Sequence, residues 1–366
     1  MGMTLQQLLN TMVRERASDL FLKTGAPPAF RVDGALRRPV EAPSADVEFM
    51  RAVAAEVLDE RDRAAFESTG EADAAYEIPG VGRFRVNAFH QRGVAAFVFR
   101  HIPRLIPSME DLGLPAEQLK KLSARQRGLV LVTGIAGSGK STCLAAMIDY
   151  INTNFRRHIV TIEDPIEFVH DDKLSMIEQR EVGIDTANFA VALKHCVRQS
   201  PDVILLGEMR DQETMEAALN AAETGHLVLS TLHTVNAVQT VERMINYFPP
   251  HMHELVRMQM AMVLEGVISL RLLRRKDTAG RVPAAEIMMA TPTVREMLQQ
   301  GRTRQLASAL REGGYFGTQT FGQALKGLLD RGLIAEEDAL SSADNPEELR
   351  LELRGIVRGG DLRVMR

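Results

Sequence analysis

The alternation of apolar and polar positions predicts a mixed helix-and-strand domain over residues 1–103. Apolar residues recur at helical spacing over residues 5–13, and the composition of residues 45–66 also favours helix. A short strand is predicted at residues 19–22. The continuously apolar segment 94–99 is typical of a strand at the centre of a sheet.

Two further segments of this domain have clear strand patterns. Phe30–Leu36 predicts a hairpin, because Asp33–Gly34 is a favoured two-residue turn. In residues 83–88, apolar side chains alternate with Arg83 and Arg85. This is the pattern of a half-buried strand whose outer face is basic.

Beyond a proline-containing linker at residues 104–115, strands and helices alternate along residues 116–290. The predicted strands are 128–133, 158–163, 203–207 and 227–232, and the predicted helices are 140–152, 188–199 and 212–223. Such alternation predicts a mostly parallel sheet covered by helices. Residues 251–273 predict one long helix, and residues 291–366 predict a peripheral helical region.

Length and composition limit the classes of protein to which this chain can belong. A chain of 366 residues is long enough for two or three domains, and its net charge of −4 argues against nucleic acid as the main partner. The two cysteines, Cys143 and Cys196, are too few for a disulfide framework or a thiolate metal site. We found no secretory signal and no apolar segment near the ~18 residues that span a bilayer. We therefore expect a cytoplasmic protein.

The segment Gly134–Ser141 carries the Gly-x4-Gly-Lys-Ser pattern between a predicted strand and a predicted helix. In that context the pattern predicts a loop that binds the phosphates of ATP through backbone N–H groups and a helix amino terminus. Lys140 is expected to reach the β- and γ-phosphates, and the Ser141 hydroxyl is expected to bind Mg²⁺. The residues expected to contact nucleotide are Gly134, Gly137, Ser138, Gly139, Lys140, Ser141 and Thr142.

Acidic residues follow two of the predicted strands, at the edge where open α/β sheets bind ligands. Glu163 is the candidate general base that polarises the attacking water. Alternatively, Asp164 caps a turn before Pro165 and Glu163 is simply solvated. Glu208 is the candidate that orients Mg²⁺ or its waters, although Gly207 stands where a common version of this motif has aspartate. The alternative is a loop glutamate without a role.

His226 and His233 flank the strand predicted at residues 227–232. The spacing argues against a shared metal ion, because residues seven apart on a strand lie ~23 Å from each other and on opposite faces. His233 is a candidate donor to the γ-phosphate, and His226 is a candidate structural residue. Spacing alone leaves the functional interpretation of His233 open.

Arg83, Arg85 and Arg100 have two interpretations. They form a solvated strand face, or they reach the nucleotide of a neighbouring subunit and stabilise charge on the transferred phosphoryl group.

Taken together, four ordered motifs resemble those of the secretion/pilus ATPase family, and within it the type IV pilus retraction ATPases (the PilT/PilU group). The motifs are the phosphate loop, Thr161–Phe168, Leu205–Asp211 and Thr224–Thr234. The similarity also includes Ala17–Pro28, Gln179–Gly183 and Gly317–Phe321, and so covers almost the whole chain.

This resemblance implies an α/β chain with four parts. They are a PAS-like α+β domain over 1–103, a linker over 104–115, a RecA-like P-loop ATPase core over 116–290 and a helical extension over 291–366. It implies a homohexamer that binds ATP and Mg²⁺ between the two domains at a subunit interface. The partners it implies are an inner-membrane pilus platform protein and, as a candidate, a paralogous retraction ATPase, with the chain placed in the cytoplasm at the inner membrane.

The resemblance also assigns roles to single residues. Glu163 matches the acidic box, Glu208 the Walker B acid that acts with Ser141 on Mg²⁺, and His233 the histidine box. Lys140 matches the phosphate-loop lysine. The resemblance favours a catalytic contribution from the basic strand, through Arg83, Arg85 or Arg100.

Departures from the family pattern refine the expected function, which is ATP-driven pilus retraction. Two cysteines cannot form the four-cysteine zinc element usual in extension and secretion ATPases. The segment Thr293–Gln300 keeps Arg295 but ends in Gln-Gln, and Phe21 replaces a common histidine, so both resemble the accessory, PilU-like type. The alternatives are a pilus assembly or type II secretion ATPase and a nucleotide-gated regulator of the main motor.

Overall fold

The structure is a computed structural model that describes residues 4–32, 35–38, 43–102, 105–278 and 280–354. The chain divides into two compact units, Met1–Leu105 with Glu167–Val169 and Ile106–Ile166 with His170–Arg366. Each unit contains a β-sheet of its own. None of the helices in the described ranges is both long and apolar enough to cross a bilayer.

The first unit is built on an antiparallel six-stranded sheet with the order β3-β2-β1-β6-β5-β4. Its strands are β1 (Asp19–Lys23), β2 (Ala29–Val32), β3 (Ala35–Arg37), β4 (Glu71–Ile78), β5 (Gly82–Gln91) and β6 (Val94–Ile102). Its helices are α1 (Leu5–Arg14), α2 (Val47–Val57) and α3 (Glu60–Thr69). One apolar core joins these helices to the sheet.

Most predictions for this unit are confirmed. Helix α1 and strand β1 lie where the sequence predicts them, β2 pairs with β3 as a hairpin, and β6 is central in the sheet. The predicted turn Asp33–Gly34 lies outside the described residues. The helical prediction for 45–66 is confirmed, but the segment forms two helices, because Asp59 caps the second one by accepting a hydrogen bond from the Asp62 N–H. Strand β4 was not predicted.

The second unit contains a seven-stranded sheet with the order β13-β12-β7-β11-β10-β8-β9. Its strands are β7 (Gly128–Thr133), β8 (His158–Glu163), β9 (Met176–Glu181), β10 (Val203–Leu206), β11 (Leu227–Leu232), β12 (Leu264–Arg274) and β13 (Arg281–Met289). Every neighbouring pair is parallel except β12 with β13. The predicted mostly parallel sheet is therefore confirmed.

Helices cover this sheet on both faces. They are α4 (Ala116–Ser123), α5 (Lys140–Asn154), α6 (Phe189–Cys196), α7 (Gln212–Glu223), α8 (Ala237–Asn246), α9 (His253–Val263), α10 (Pro292–Gln299), α11 (Leu306–Glu312), α12 (Phe321–Asp330), α13 (Glu336–Ser341) and α14 (Pro346–Leu353). Short 3-10 turns lie at Pro250–Met252, Thr303–Gln305 and Gly314–Phe316. Because strand side chains alternate between faces, Leu129 and Leu131 enter one core and Val130 and Val132 the other.

The prediction of one long helix over 251–273 is wrong. Helix α9 ends at Val263, and β12 begins at Leu264 and runs parallel to β7. Both elements are largely apolar, and an apolar segment buried from all sides does not reveal by its composition whether it is helix or central strand. Gly266, near the start of β12, packs closely against its neighbours: a Cβ there would lie 3.0 Å from the Leu122 side chain and 3.2 Å from the Met288 carbonyl oxygen.

The predicted linker at 104–115 is packed along much of its length. Met109 and Leu114 are buried in the core that α4 and α5 share with the second sheet. Residues 103 and 104 lie outside the described part of the chain.

Candidate active site

The candidate residues of the second unit meet at one edge of its sheet. Strands β7, β11, β10 and β8 are neighbours in that order and run parallel. The phosphate loop Gly134–Ser141 follows β7, His233 follows β11, Glu208 follows β10, and Glu163 ends β8. Since the carboxyl ends of parallel strands lie at the same edge, the fold brings the loop, both acids and the histidine together there.

The backbone of the phosphate loop requires glycine at Gly134. This residue has a φ of +145°, and a Cβ on it would lie 2.6 Å from the Leu270 carbonyl oxygen and 2.4 Å from Ser138 Oγ. Gly137 and Gly139 also have positive φ values, +74° and +96°, but no atom lies within 4 Å of the position of a Gly137 Cβ. The loop therefore follows a path that only glycine adopts without strain.

Lys140 opens helix α5 and turns its ammonium back over the loop. Its Nζ donates to the carbonyl oxygens of Gly134 (2.9 Å) and Ile135 (3.1 Å), and the residue is only 9% exposed. Ser138 Oγ is buried too, and it has no hydrogen-bond partner within the described ranges. A buried cation and a buried hydroxyl beside a helix amino terminus fit an anionic ligand, so these residues suit the phosphates of a nucleotide.

A cavity of about 670 Å³ opens beside this loop. Its walls include Arg271 and Arg281 and residues 341–344, which join α13 to α14. Arg271 lies 3.7 Å from the ring centroid of Phe321 and pairs with Asp344. The carboxy-terminal helices thus supply one wall of the cavity, a contribution that the sequence did not indicate.

Glu208 belongs to a network of charged side chains. Its Oε2 accepts a hydrogen bond from Arg210 Nε at 2.9 Å, and its Oε1 lies 3.3 Å from His233 Nε2. The hydrogen bond and charge of Glu208 raise the pKa of Arg210. Arg210 Nη1 also lies 3.9 Å from Asp164 Oδ2. The fold therefore joins Glu208 to His233, and it adds Arg210 and Asp164, to which the sequence assigned no catalytic role.

Glu163 is half-buried and oriented by neighbouring side chains. Its Oε1 accepts hydrogen bonds from Thr161 Oγ1 (2.6 Å) and Gln179 Nε2 (3.2 Å). Gln179 lies on β9, a strand that the sequence did not predict. The alternative of a simply solvated Glu163 is wrong, because two side chains hold its carboxylate.

The two histidines of β11 lie at opposite ends of that strand. His226 Nδ1 is 2.9 Å from the Ala221 carbonyl oxygen, which suits the structural role expected for it. His233 is about half exposed, and its Nε2 faces the Glu208 carboxylate. Among the described residues, no cluster of three or more His, Cys, Asp or Glu side chains could hold a metal ion by itself.

The three candidate arginines lie on one face of the first unit's sheet. Arg83 and Arg85 alternate along β5, and Arg85 is directly opposite Arg100 on β6. Arg100 Nε donates to the buried Asp19 at 2.8 Å, and Arg85 lies 3.7 Å from Asp73. The predicted basic outer face is thus confirmed, and carboxylates partly neutralise it.

Comparison with known proteins places these features in a family context. The family model described as "Type II/IV secretion system protein" matches residues 2–319, a range that includes the phosphate loop and the candidate acids. The chain is 47% identical to the type IV pilus retraction ATPase PilT of Pseudomonas aeruginosa over 94% of this chain and 99% of that protein. It is 43% identical to the type IV pilus ATPase PilU of the same organism over 96% and 92%.

Two solved structures are also similar to this chain. The crystal structure of the pilus retraction motor PilT with bound ADP superposes with a TM-score of 0.89 at 43% identity, covering 95% of this chain and 99% of that one. The ATPase DotB of Legionella pneumophila superposes with a TM-score of 0.79 at 28% identity, covering 96% of each chain.

Proposed function

This chain belongs to the type II/IV secretion system protein family, and on that premise we propose that it is a Mg²⁺-dependent ATP hydrolase that powers type IV pilus retraction. Its relatives over nearly the full length include the retraction ATPase PilT and the pilus ATPase PilU. The observation that carries the proposal is the convergence of the phosphate loop with Glu163, Glu208 and His233 at one sheet edge.

In the proposed reaction the loop and Lys140 bind the phosphates, and Glu163 accepts a proton from the attacking water. His233 donates a hydrogen bond to the γ-phosphate. Ser141 and Glu208 would hold Mg²⁺, which supplies positive charge against the phosphates when bound. Because Glu208 is paired with Arg210 and His233, it is oriented before it acts.

We further propose that the first unit is a PAS-like domain, that residues 116–290 form a RecA-like core, and that six copies assemble into a ring. In such a ring Arg83, Arg85 or Arg100 reaches the nucleotide of a neighbouring subunit. To do so, Arg100 would have to exchange its ion pair with Asp19, and Arg85 its longer contact with Asp73, for the phosphate. ATP hydrolysis then drives motion that an inner-membrane platform protein transmits to the pilus from the cytoplasmic side.

An accessory role is the second candidate, in which the chain regulates or assists a paralogous motor. It is favoured by Gln299–Gln300 at the end of the segment linked to retraction. In that segment Arg295 donates to the carbonyl oxygens of Ala261 (2.7 Å) and Met262 (3.0 Å), and so it caps α9. A cap of this kind explains on structural grounds alone why the arginine is retained.

Purified protein tests the proposal directly. We expect Mg²⁺-dependent ATP hydrolysis in the native chain and background hydrolysis in Glu208→Ala. ATP binding with background turnover in the native chain would instead support the regulator. In the source organism, deletion should leave pili that are surplus or do not retract. A deletion strain without surface pili would support an assembly or secretion ATPase.

A further inference from the structure

We infer that Gln179 is a positioning residue that orients the Glu163 carboxylate for proton abstraction. Gln179 opens the motif Gln179–Gly183, to which neither the sequence nor the proposed reaction assigns a task. The inference rests on the proposed function, because it takes Glu163 as the general base. It concerns strand β9, which lies at the edge of the second sheet beside β8.

The register of β8 and β9 puts the relevant side chains on one face. The strands are parallel, with Thr161 opposite Gln179 and Glu163 opposite Glu181. Residues two apart on a strand point to the same side, and directly opposite residues share that side. These four polar side chains therefore form one group at the end of β8.

Hydrogen bonding fixes which way the Gln179 amide points. Its Oε1 accepts the backbone N–H of His170 at 2.8 Å, and only the carbonyl end of an amide can accept. The amide nitrogen must then be the end that faces Glu163, where Nε2 donates to Oε1 at 3.2 Å. Thr161 Oγ1 donates to the same oxygen at 2.6 Å. Two donors on one oxygen fix the plane of the carboxylate.

Side chains of strand β9 also accept hydrogen bonds from the segment that follows Glu163. Besides the bond from His170 to Gln179, the N–H of Ile166 donates to Glu181 Oε2 at 3.4 Å. Glu181 is itself buried, and its N–H donates to Asp185 at 2.8 Å. The motif thus ties the segment after Glu163 at two points, and Gln179 also donates a hydrogen bond to the Glu163 carboxylate.

This geometry has two consequences for turnover. A general base must lie within hydrogen-bond reach of its proton, and a misplacement of about 1 Å can cost on the order of 100-fold in rate. Neutral donors to a carboxylate favour its ionised, proton-accepting form, whereas a second carboxyl group such as that of the buried Glu181, directly opposite Glu163, opposes ionisation in the native chain and in the variants alike. Removing the donor at Gln179 should therefore lower the rate of the chemical step and move the acidic limb of its pH profile to higher pH.

The test measures single-turnover ATP hydrolysis between pH 5.5 and 8.5, with ADP affinity measured by calorimetry. We expect Gln179→Ala and Gln179→Glu to slow hydrolysis about 10–100-fold at neutral pH with ADP affinity near that of the native chain. Gln179→Glu keeps the acceptor for His170 but replaces the donor with a second carboxylate, so its acidic limb should shift furthest. Glu178→Gln is the matched control, because Glu178 lies on the opposite face of β9 and is half exposed.

A double-mutant cycle separates positioning from a general structural effect. If Gln179 acts through Glu163, then Gln179→Ala should cause no further loss in a Glu163→Gln background. An inactive Glu163→Gln together with a fully active Gln179→Glu would overturn this inference and leave the proposed function intact. A Glu163→Gln variant as active as the native chain would overturn the base assignment itself, and the inference with it. Additive losses in the double variant would likewise exclude a positioning role.

Discussion

Replacing Glu286 with glutamine should stabilise the folded chain at pH 8.5 much more than at pH 5.5. Glu286 lies on β13 and is 7% exposed, and its Oε1 accepts the N–H of Ala237 at 2.7 Å. Burial raises the pKa of Glu286 from its ordinary 4.5 to about 7; Asp344 adds to this effect, while the Ala237 hydrogen bond and Arg271 oppose it. The folded chain therefore holds the proton more tightly than the unfolded chain does.

The sign and size of the effect follow from proton linkage. Between pH 4.5 and about 7 the folded state binds more protons than the unfolded state does. The contribution of Glu286 to stability is therefore greatest below this window and is lost as pH rises through it. At ~1.4 kcal/mol for each pH unit, the whole window corresponds to about 3 kcal/mol. Glutamine has no proton to lose. The gain in unfolding free energy from Glu286→Gln should therefore approach about 3 kcal/mol at pH 8.5 and be smaller by about 2 kcal/mol at pH 5.5.

Guanidinium unfolding of the full chain at both pH values measures this difference. Comparing the variant with the native chain at each pH cancels the titration of all other groups. Glu216→Gln removes the same charge from the exposed face of α7 and should give the same small effect at both pH values. An equal change for Glu286→Gln at pH 5.5 and pH 8.5 would refute the reasoning, because it would mean that Glu286 titrates alike in the folded and unfolded chains.

Three further predictions, one of them with a matched control variant, concern the site. Lys140→Met should abolish measurable ATP hydrolysis, a loss of at least ~100-fold, while the unfolding midpoint falls little; native-like turnover would exclude this amine from phosphate binding. Gly134→Ala should cost about 2 kcal/mol or more of unfolding free energy, because its Cβ would lie 2.6 Å from the Leu270 carbonyl oxygen. Gly137→Ala, with open space around it, should cost about 1 kcal/mol, and equal losses would contradict the clash. Arg210→Ala should lower kcat ~10-fold with KM nearly unchanged, since Glu208, the proposed Mg²⁺ ligand, loses the partner that orients it; an unchanged kcat would make the pair purely structural.

The sequence was sufficient to predict that the phosphate loop, Glu163, Glu208 and His233 lie at one edge of the sheet, whereas the role of Arg83, Arg85 and Arg100 stays a prediction. Phosphate loop, acids and histidine each follow an apolar strand, and parallel strands end at one edge, so proximity follows from topology. The network around Glu208 was beyond sequence reasoning. Arg210 and His233 are 2 and 25 residues from Glu208 along the chain, and only their side-chain conformations decide that both reach its carboxylate.

The wrongly predicted helix and the unpredicted strand β9 have a common physical cause: the surroundings of a segment in the fold decide its secondary structure. Strand β12 replaced half of a predicted helix because β7 and β13 pair with its two edges and consecutive residues on both of its faces are buried. Strand β9, Met176–Glu181, has a polar sequence without apolar alternation. It is a strand because it adds to the open edge of β8, where its polar side chains meet those of the acidic segment.

The connection between β8 and β9 explains why two separate sequence motifs act as one structural group. Parallel neighbours need a crossover of about a dozen residues, and residues 164–175 supply twelve. The structure describes no helix in that crossover, and side chains hold part of its backbone: Gln179 and Glu181 accept its N–H groups at His170 and Ile166. The Gln179 amide therefore contacts the crossover and Glu163, the proposed base, at the same time. A substitution that keeps only the first of these tasks, such as Gln179→Glu, should therefore fold normally and still lose catalytic rate.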